Sequence, residues 1–264
     1  MSEPLLIDIH DATIWRGSTC VFEHLNLCIA QHERVAILGP NGSGKTTLLK
    51  TINRELYPVV ADASWIRILG REAWNVWELR KHIGIVSADL QSRYTAATTA
   101  IEVVISGFFS SIGVQGLLAD RVTEEQVARA AAVLAKLGIE PLRDTPLQSM
   151  STGQQRRCLL ARALVHEPTT LILDEPTTGL DLAASFDYLA RIRRLASDGC
   201  NIVIVTHHLN DIPPEVERIV VLKEGRVVAD GDKGAVLTNK LLSEVYETPI
   251  RISETDGYYL AYPG

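Results

Sequence analysis

The sequence predicts an α/β fold: a sheet core, a β-rich N-terminal region and a helical insert. Three observations predict it. Short apolar runs of strand length recur at residues 35–38, 83–86, 171–173, 202–206 and 219–222, in alternation with helical segments. Between the second and third runs, Val127, Ala131, Leu134 and Leu137 fall at helical spacing and mark the heart of an insert spanning roughly residues 87–164. No tandem repeat or low-complexity linker divides the 264 residues, so one domain with a good core accounts for the length.

Taken in order, residues 5–37 read as β-rich, and the run Val35-Ala36-Ile37-Leu38 leads directly into Gly39-Pro40-Asn41-Gly42-Ser43-Gly44-Lys45-Thr46. A glycine loop that leaves a strand and opens a helix, here residues 45–53, binds polyphosphate. Backbone N–H groups can encircle a phosphate only where side chains do not obstruct it, a need met by Gly39, Gly42 and Gly44. The helix directs its free N-terminal N–H groups and its dipole at the same anion. The Lys45 ammonium reaches the β and γ phosphates, the Thr46 hydroxyl is offered to Mg²⁺, and Thr47 can reach the α phosphate.

More strands follow up to residue 86, and then the insert. Beyond it, Leu171-Ile172-Leu173 is a buried-strand run ending in Asp174 and Glu175. Two carboxylates at the carboxyl end of a strand need a cation or a proton to handle. Asp174, last on the strand, is placed to hold Mg²⁺ through water, and Glu175 reads as the general base that polarises an attacking water. The plainer alternative is a solvated acidic turn. Strands at residues 202–206 and 219–222 continue the alternation, and Lys223-Glu224-Gly225-Arg226 reads as a hairpin turn into residues 227–230.

Between the two phosphate-related sites lies Met150-Ser151-Thr152-Gly153-Gln154-Gln155, with Ser151 as the N-cap of a helix that continues through Leu164. Here the chain resembles the ATP-binding cassette (ABC) ATPases, whose signature usually reads Leu-Ser-Gly-Gly-Gln. Met150 and Thr152 depart from that pattern, while Ser151, Gly153 and Gln154 keep it. Further matches come in the family's order: Pro176-Thr177-Thr178-Gly179-Leu180-Asp181 looks like its D-loop, and His207 matches its switch histidine, with His208 the neighbouring alternative.

The resemblance implies a P-loop NTPase sheet core with an N-terminal antiparallel β region and a helical insert subdomain. It implies ATP with Mg²⁺, the signature helix of one protomer facing the ATP of a second cassette, and His207 contacting the γ phosphate. It divides the chain into a nucleotide-binding core (1–86 and 165–237), a helical insert with the signature (87–164) and a short C-terminal tail (238–264). Two positions depart from the family. Its metal-sensing glutamine aligns with Ala88, so Gln91, three residues on, is the candidate replacement or else a surface residue with water completing the metal shell. Its adenine-stacking aromatic corresponds to Trp15 or, one residue out of register, to Arg16; such a slip reverses the face of a strand and would put Trp15 in the core.

Composition narrows the function further. With 26 basic against 32 acidic residues and a net charge of −6, the chain is not expected to coat nucleic acid. Cys20, Cys28, Cys158 and Cys200 lack close metal-ligand spacing and read as reduced, buried thiols of a cytosolic protein. Residues 1–4 lack a basic leader, and Glu102, Gln115 and three glycines interrupt the apolar stretch 100–119, so no spanning helix is expected. The tail resembles the C-terminal extension of metal, siderophore, cobalamin and molybdate-related cassettes, with Tyr258, Tyr259 and Tyr262 as a packing edge or a ligand set.

The expected function is therefore that of an ATP-binding and hydrolysing subunit of an ABC transporter, cytoplasmic and held on the membrane's inner face by a separate transmembrane permease. Val103, Val104, Ile105, Phe108, Phe109 and Ile112 lie where the resemblance puts the permease's docking helix, and they serve equally as the insert's own core. The rival reading is a soluble ABC ATPase that regulates a cytosolic partner.

Overall fold

The computed structural model describes residues 4–264; Met1, Ser2 and Glu3 of the opening segment, and the side chain of Ala88, lie outside the described residues. The elements run β1 (Leu5–Arg16), β2 (Thr19–Ala30), β3 (Val35–Leu38), α1 (Lys45–Ile52), β4 (Trp65–Ile68), α2 (Val76–His82) and β5 (Ile83–Val86). There follow α3 (Ala88–Ser92), α4 (Ala100–Ser106), α5 (Glu124–Lys136), α6 (Thr152–Leu164), β6 (Thr170–Asp174) and α7 (Leu182–Ser197). The chain ends with β7 (Asn201–Thr206), β8 (Arg218–Lys223), β9 (Arg226–Asp232), α8 (Lys233–Val236), α9 (Asn239–Tyr246), β10 (Ile250–Thr255) and β11 (Tyr258–Pro263). Two compact units result, one of Met1–Val76 with Asn201–Gly264, the other of Trp77–Cys200.

In the first unit, β1 pairs antiparallel with β2 on one side and β4 on the other. Strand β2 alternates: Leu25, Leu27 and Ile29 turn into the core, while Asn26 and Cys28 face out. The expectation of buried thiols is corrected here, because Cys20 and Cys28 are exposed on the outward row of β2. Cys158 is buried and Cys200 half-buried.

The other layer of this unit is built on β3, which pairs in parallel with β7 and with β8. All four β3 side chains are fully buried. Burying a side chain such as Val35, Ile37 or Leu38 contributes about 1.5–3 kcal/mol, which is why an uninterrupted apolar run of strand length ends up central. Strand β9 returns antiparallel to β8 through Glu224 and Gly225, both at positive φ (49° and 72°), the conformation of a tight two-residue hairpin turn. Gly225 tolerates no side chain, since a Cβ there would lie 1.8 Å from the Val21 carbonyl oxygen of β2. The C-terminal strands β10 and β11 form their own antiparallel hairpin, in which Tyr258 and Tyr259 are half-buried and Tyr262 is exposed.

In the second unit, β5 and β6 pair in parallel from Ile83↔Thr170 to Val86↔Leu173. Helices α4, α5 and α6 pack on one another around Val103, Leu134 and Leu159. Helix α5 starts at a reciprocal cap between Thr123 and Gln126, which satisfies two of its free N–H groups. The apolar stretch after residue 100 divides in two: Val103, Val104 and Ile105 are core, Phe108 and Phe109 are half-buried, and Ile112 is exposed. Among the described residues, no helix is long and apolar enough to cross a membrane.

Candidate nucleotide site

Loop 39–46 has the shape its composition requires. Gly42 and Gly44 sit at φ 83° and 109°, open to glycine at little cost. A Cβ on Gly39 would lie 2.3 Å from the Leu222 carbonyl oxygen and 2.7 Å from Ser43 Oγ, and one on Gly44 would lie 2.6 Å from the Phe22 ring. The loop is thus seated on a fully buried phenyl ring from β2 and on the main chain of β8. It is also tied to the β8–β9 turn, because the Gly225 N–H donates to the Ser43 carbonyl at 3.1 Å.

The groups facing a ligand are equally particular. Lys45 is buried, and its Nζ donates to the carbonyls of Gly39 at 2.6 Å and Pro40 at 3.0 Å, so the ammonium is curled over the loop. Helix α1 begins at Gly44 with no side-chain cap and no acidic residue in its first turn, which leaves its N-terminal N–H groups for an anion. Ser43 Oγ is buried and has no hydrogen-bond partner. Buried hydroxyls are normally satisfied, so Ser43 fits a site completed by a polar ligand. Thr46 is exposed beside Thr47, which is buried. These residues fit a nucleoside triphosphate.

Trp15 lies on β1 opposite Cys20, next to a register shift, and is 46% exposed. It is not a core residue, and Arg16 beside it is exposed as well.

At the end of β7, Thr206 Oγ1 donates to the buried Asp211 carboxylate and accepts from the His208 N–H at 3.0 Å. His207 is half-buried and His208 exposed, with their rings 3.8 Å apart between centroids and tilted by 40°. The local network fixes the turn that carries both imidazoles.

In the second unit, Asp174 closes β6 and is half-buried, and Glu175 follows at φ 48°. A non-glycine residue in the left-handed region costs about 1–3 kcal/mol, and it turns the Glu175 side chain off the strand direction. The next turn starts there, with the Thr178 N–H donating to the Glu175 carbonyl at 3.2 Å.

The signature segment forms the start of α6. Ser151 Oγ accepts from the Gln154 N–H at 3.3 Å while Gln154 Oε1 accepts from the Ser151 N–H at 2.9 Å. A Cβ on Gly153 would lie 3.1 Å from the Ala184 methyl, so this glycine lets α6 and α7 begin close together. Asp181 caps α7, its carboxylate accepting from the Ala184 N–H at 2.7 Å. Arg156, fully inside the unit, donates to the Thr178 carbonyl at 3.1 Å and so ties the signature helix to the turn before Asp181.

Ala88 opens α3. Gln91 lies on the same short helix, and its side-chain amide donates to Gln155 Oε1 on α6, whose own amide donates to the Met150 carbonyl at 3.0 Å. The sequence does not assign the supporting parts of Gln155, Arg156, Phe22 and Gly225. Gln155 and Arg156 stand beside the signature and Gly225 reads as part of a hairpin turn, while Phe22 carries no signal.

Residues 22–178 match the ABC transporter family. The ABC transporter ATP-binding protein YlmA of Bacillus subtilis (strain 168) is 32% identical over 253 residues, covering 94% of this chain and 93% of its own. The cobalt import ATP-binding protein CbiO of Rhodobacter capsulatus is 34% identical over 230 residues, covering 85% of this chain and 77% of its own. The dimeric structure of the ATP-binding cassette MJ0796 in a post-hydrolysis state, bound to ADP and Pi, superposes with a TM-score of 0.69 at 28% identity over 86% of this chain and 98% of that one. The expected P-loop NTPase core, N-terminal antiparallel region and helical part are the fold of these cassettes. With its phosphate loop built as described, the chain belongs to the ABC transporter family, as an ATP-binding and ATP-hydrolysing subunit.

Proposed function

We infer that two copies of this chain close around two ATP molecules, and that their closing and reopening drives a separate transmembrane permease from the cytoplasmic face. The observation that carries the reading is a pair of helix starts suited to anions. Helix α1 begins uncapped behind its own phosphate loop. Helix α6 begins at Ser151 and Thr152, both exposed, with the Ser151 hydroxyl accepting from the Gln154 N–H. The first serves the chain's own ATP; Ser151, Gly153 and Gln154 serve the ATP of the second copy. The dimeric state of the cassette MJ0796 supports this arrangement.

In the ATP-bound pair, Lys45 exchanges its bonds to Gly39 and Pro40 for the β and γ phosphates, and Thr47 reaches the α phosphate. Half-exposed Trp15 offers a face to adenine. The Thr46 hydroxyl, Asp174 and Gln91 would hold Mg²⁺, which would supply charge stabilisation for the phosphates. Gln91 must give up its bond to Gln155 to take that part. Glu175 accepts the proton of the attacking water, and His207 steadies the γ phosphate.

Work comes from differential binding: ATP stabilises the closed pair and ADP does not. In this reading the core (1–86 and 165–237) binds nucleotide, the insert (87–164) carries the signature and meets the permease, and the short tail (238–264) follows the core. The half-exposed Phe108 and Phe109, with Ile112, are the side chains left over from the insert's core to meet the permease. Likeness to a cobalt import subunit supports a permease partner.

The test is to express the Glu175→Gln form in its native cell, hold it with ATP, solubilise the membranes gently and identify what co-purifies. A multi-spanning protein is expected. Recovery of soluble partners alone would replace this reading with that of a regulatory cassette.

A further inference from the structure

The C-terminal tail reaches the loop that carries His207 from two sides. On one side, the Tyr246 hydroxyl, at the last residue of α9, donates to the His207 carbonyl at 3.2 Å. The end of α9 is itself pinned: Lys223 Nζ, at the close of β8, donates to the Glu244 carbonyl at 2.9 Å and pairs with the Glu247 carboxylate at 2.8 Å. A cation at a helix C-terminus satisfies its free carbonyls and meets its dipole favourably. Tyr246 is half-buried, so its ring is held in place as well.

On the other side, β11 packs against the 3-10 turn Leu209–Asp211. Lys233 Nζ donates both to the Pro213 carbonyl at 2.9 Å and to the Gly257 carbonyl at 2.7 Å, joining the β10–β11 turn to the far end of the same loop. That turn sits directly on the loop, since a Cβ on Gly257 would lie 2.9 Å from the Pro214 side chain. Within the loop, Thr206, His208 and Asp211 are fixed to one another. The tail contributes the hold on the main chain at His207.

We propose that Tyr246 is a positioning residue for ATP hydrolysis: by holding the His207 carbonyl it sets the direction in which the imidazole leaves the main chain, and it links the seating of the C-terminal tail to turnover. The proposal rests on the reading of His207 as the γ-phosphate contact. The hydroxyl touches no reacting atom. Its effect is therefore on the rate of the chemical step more than on ATP affinity, which belongs to loop 39–46. Any partner that lifts the tail would slow hydrolysis without displacing nucleotide.

The test uses the full-length chain and four forms: wild type, Tyr246→Phe, His207→Ala and the double variant. Phenylalanine keeps the ring and removes only the hydroxyl. Losing one such hydrogen bond is expected to lower kcat by about three- to tenfold, with KM for ATP within about twofold and the thermal midpoint near wild type. Amide exchange over residues 206–211 should quicken in Tyr246→Phe. In the His207→Ala background the same change should have no further effect on the residual rate.

Wild-type kcat in Tyr246→Phe alongside an impaired His207→Ala would overturn the role of Tyr246 and leave the reading of His207 standing. An equal fractional loss in both backgrounds would also overturn it, because the hydroxyl would then act on something other than His207. Full activity in His207→Ala alone would instead remove the reading on which the proposal rests.

Discussion

Ser151 and Gln154 cap the signature helix by exchanging hydrogen bonds, the serine hydroxyl accepting at 3.3 Å and the glutamine side chain at 2.9 Å. The residue types that mark the family motif are thus also those of a reciprocal helix cap. In the single chain both the side chain and the N–H of Gln154 are engaged in this cap, and Ser151 and Thr152 at the helix start are exposed.

Ser151→Ala should therefore have two separable effects. Loss of the cap should cost about 1 kcal/mol of stability, read as a lower urea midpoint. ATPase activity should fall much further, because the hydroxyl also serves the ATP of the second copy. Ser151→Asp separates the two: the carboxylate restores the cap and the urea midpoint, but it sets a negative charge against phosphate and leaves activity low. An active aspartate variant would mean that Ser151 is a cap and nothing more.

Lys45→Ala should weaken ATP binding at least about tenfold, since a buried cation directed at polyphosphate makes charge-assisted hydrogen bonds. Titration calorimetry reads this directly. Because Lys45 also bridges Gly39 and Pro40 in the chain itself, Lys45→Arg is the companion variant. It keeps the charge but is too bulky for the loop, so it too should bind poorly. Unchanged affinity in both would count against the phosphate-loop reading.

Glu175→Gln should keep ATP affinity and lose turnover by about a hundredfold or more, the usual worth of a positioned base. With hydrolysis blocked, ATP should hold the protein as a dimer, visible by light scattering. An ATP complex that remains monomeric at all concentrations tested would argue against both the base and the paired arrangement.

What could be read from the sequence lies where strands end. Lys45, Asp174 and His207 stand just beyond apolar runs at recognisable junctions, because strand periodicity and loop chemistry are local properties. What supports them is not local. Gly225 holds Ser43 from a hairpin far along the chain, Phe22 lies under Gly44 from the N-terminal sheet, and Gln155 takes the side chain of Gln91. No window of sequence contains these pairs. Cys20 and Cys28 depart from the expected burial for a different reason: membership of a strand does not fix its face, and the alternation of β2, with Asn26 and Cys28 two residues apart, puts Cys28 on the outward row.

Lys233 makes a prediction about pH. Burial, the largest influence on it, lowers its pKa from an ordinary 10.5 to about 8, with Glu215 and Glu254 opposing the shift. The other neighbours of the ammonium are the carbonyls of Pro213 and Gly257 and the Tyr259 ring, whose centroid is 5.4 Å away. Between pH 8 and 10.5 the unfolded chain holds a proton at this lysine that the folded chain has released, so folding stability contributed by Lys233 rises with pH across that window and is flat below it. The neutral amine still donates to the two carbonyls, so the tail stays seated as the charge is lost. Lys233→Met removes the titration. The stability of wild type minus that of the variant, from urea unfolding at pH 7, 8, 9 and 10, should be constant at first and then increase above pH 8. A difference that stays level throughout would mean that Lys233 keeps its ordinary pKa, and a difference that shrinks would mean that the folded chain favours the charged form through Glu215 and Glu254.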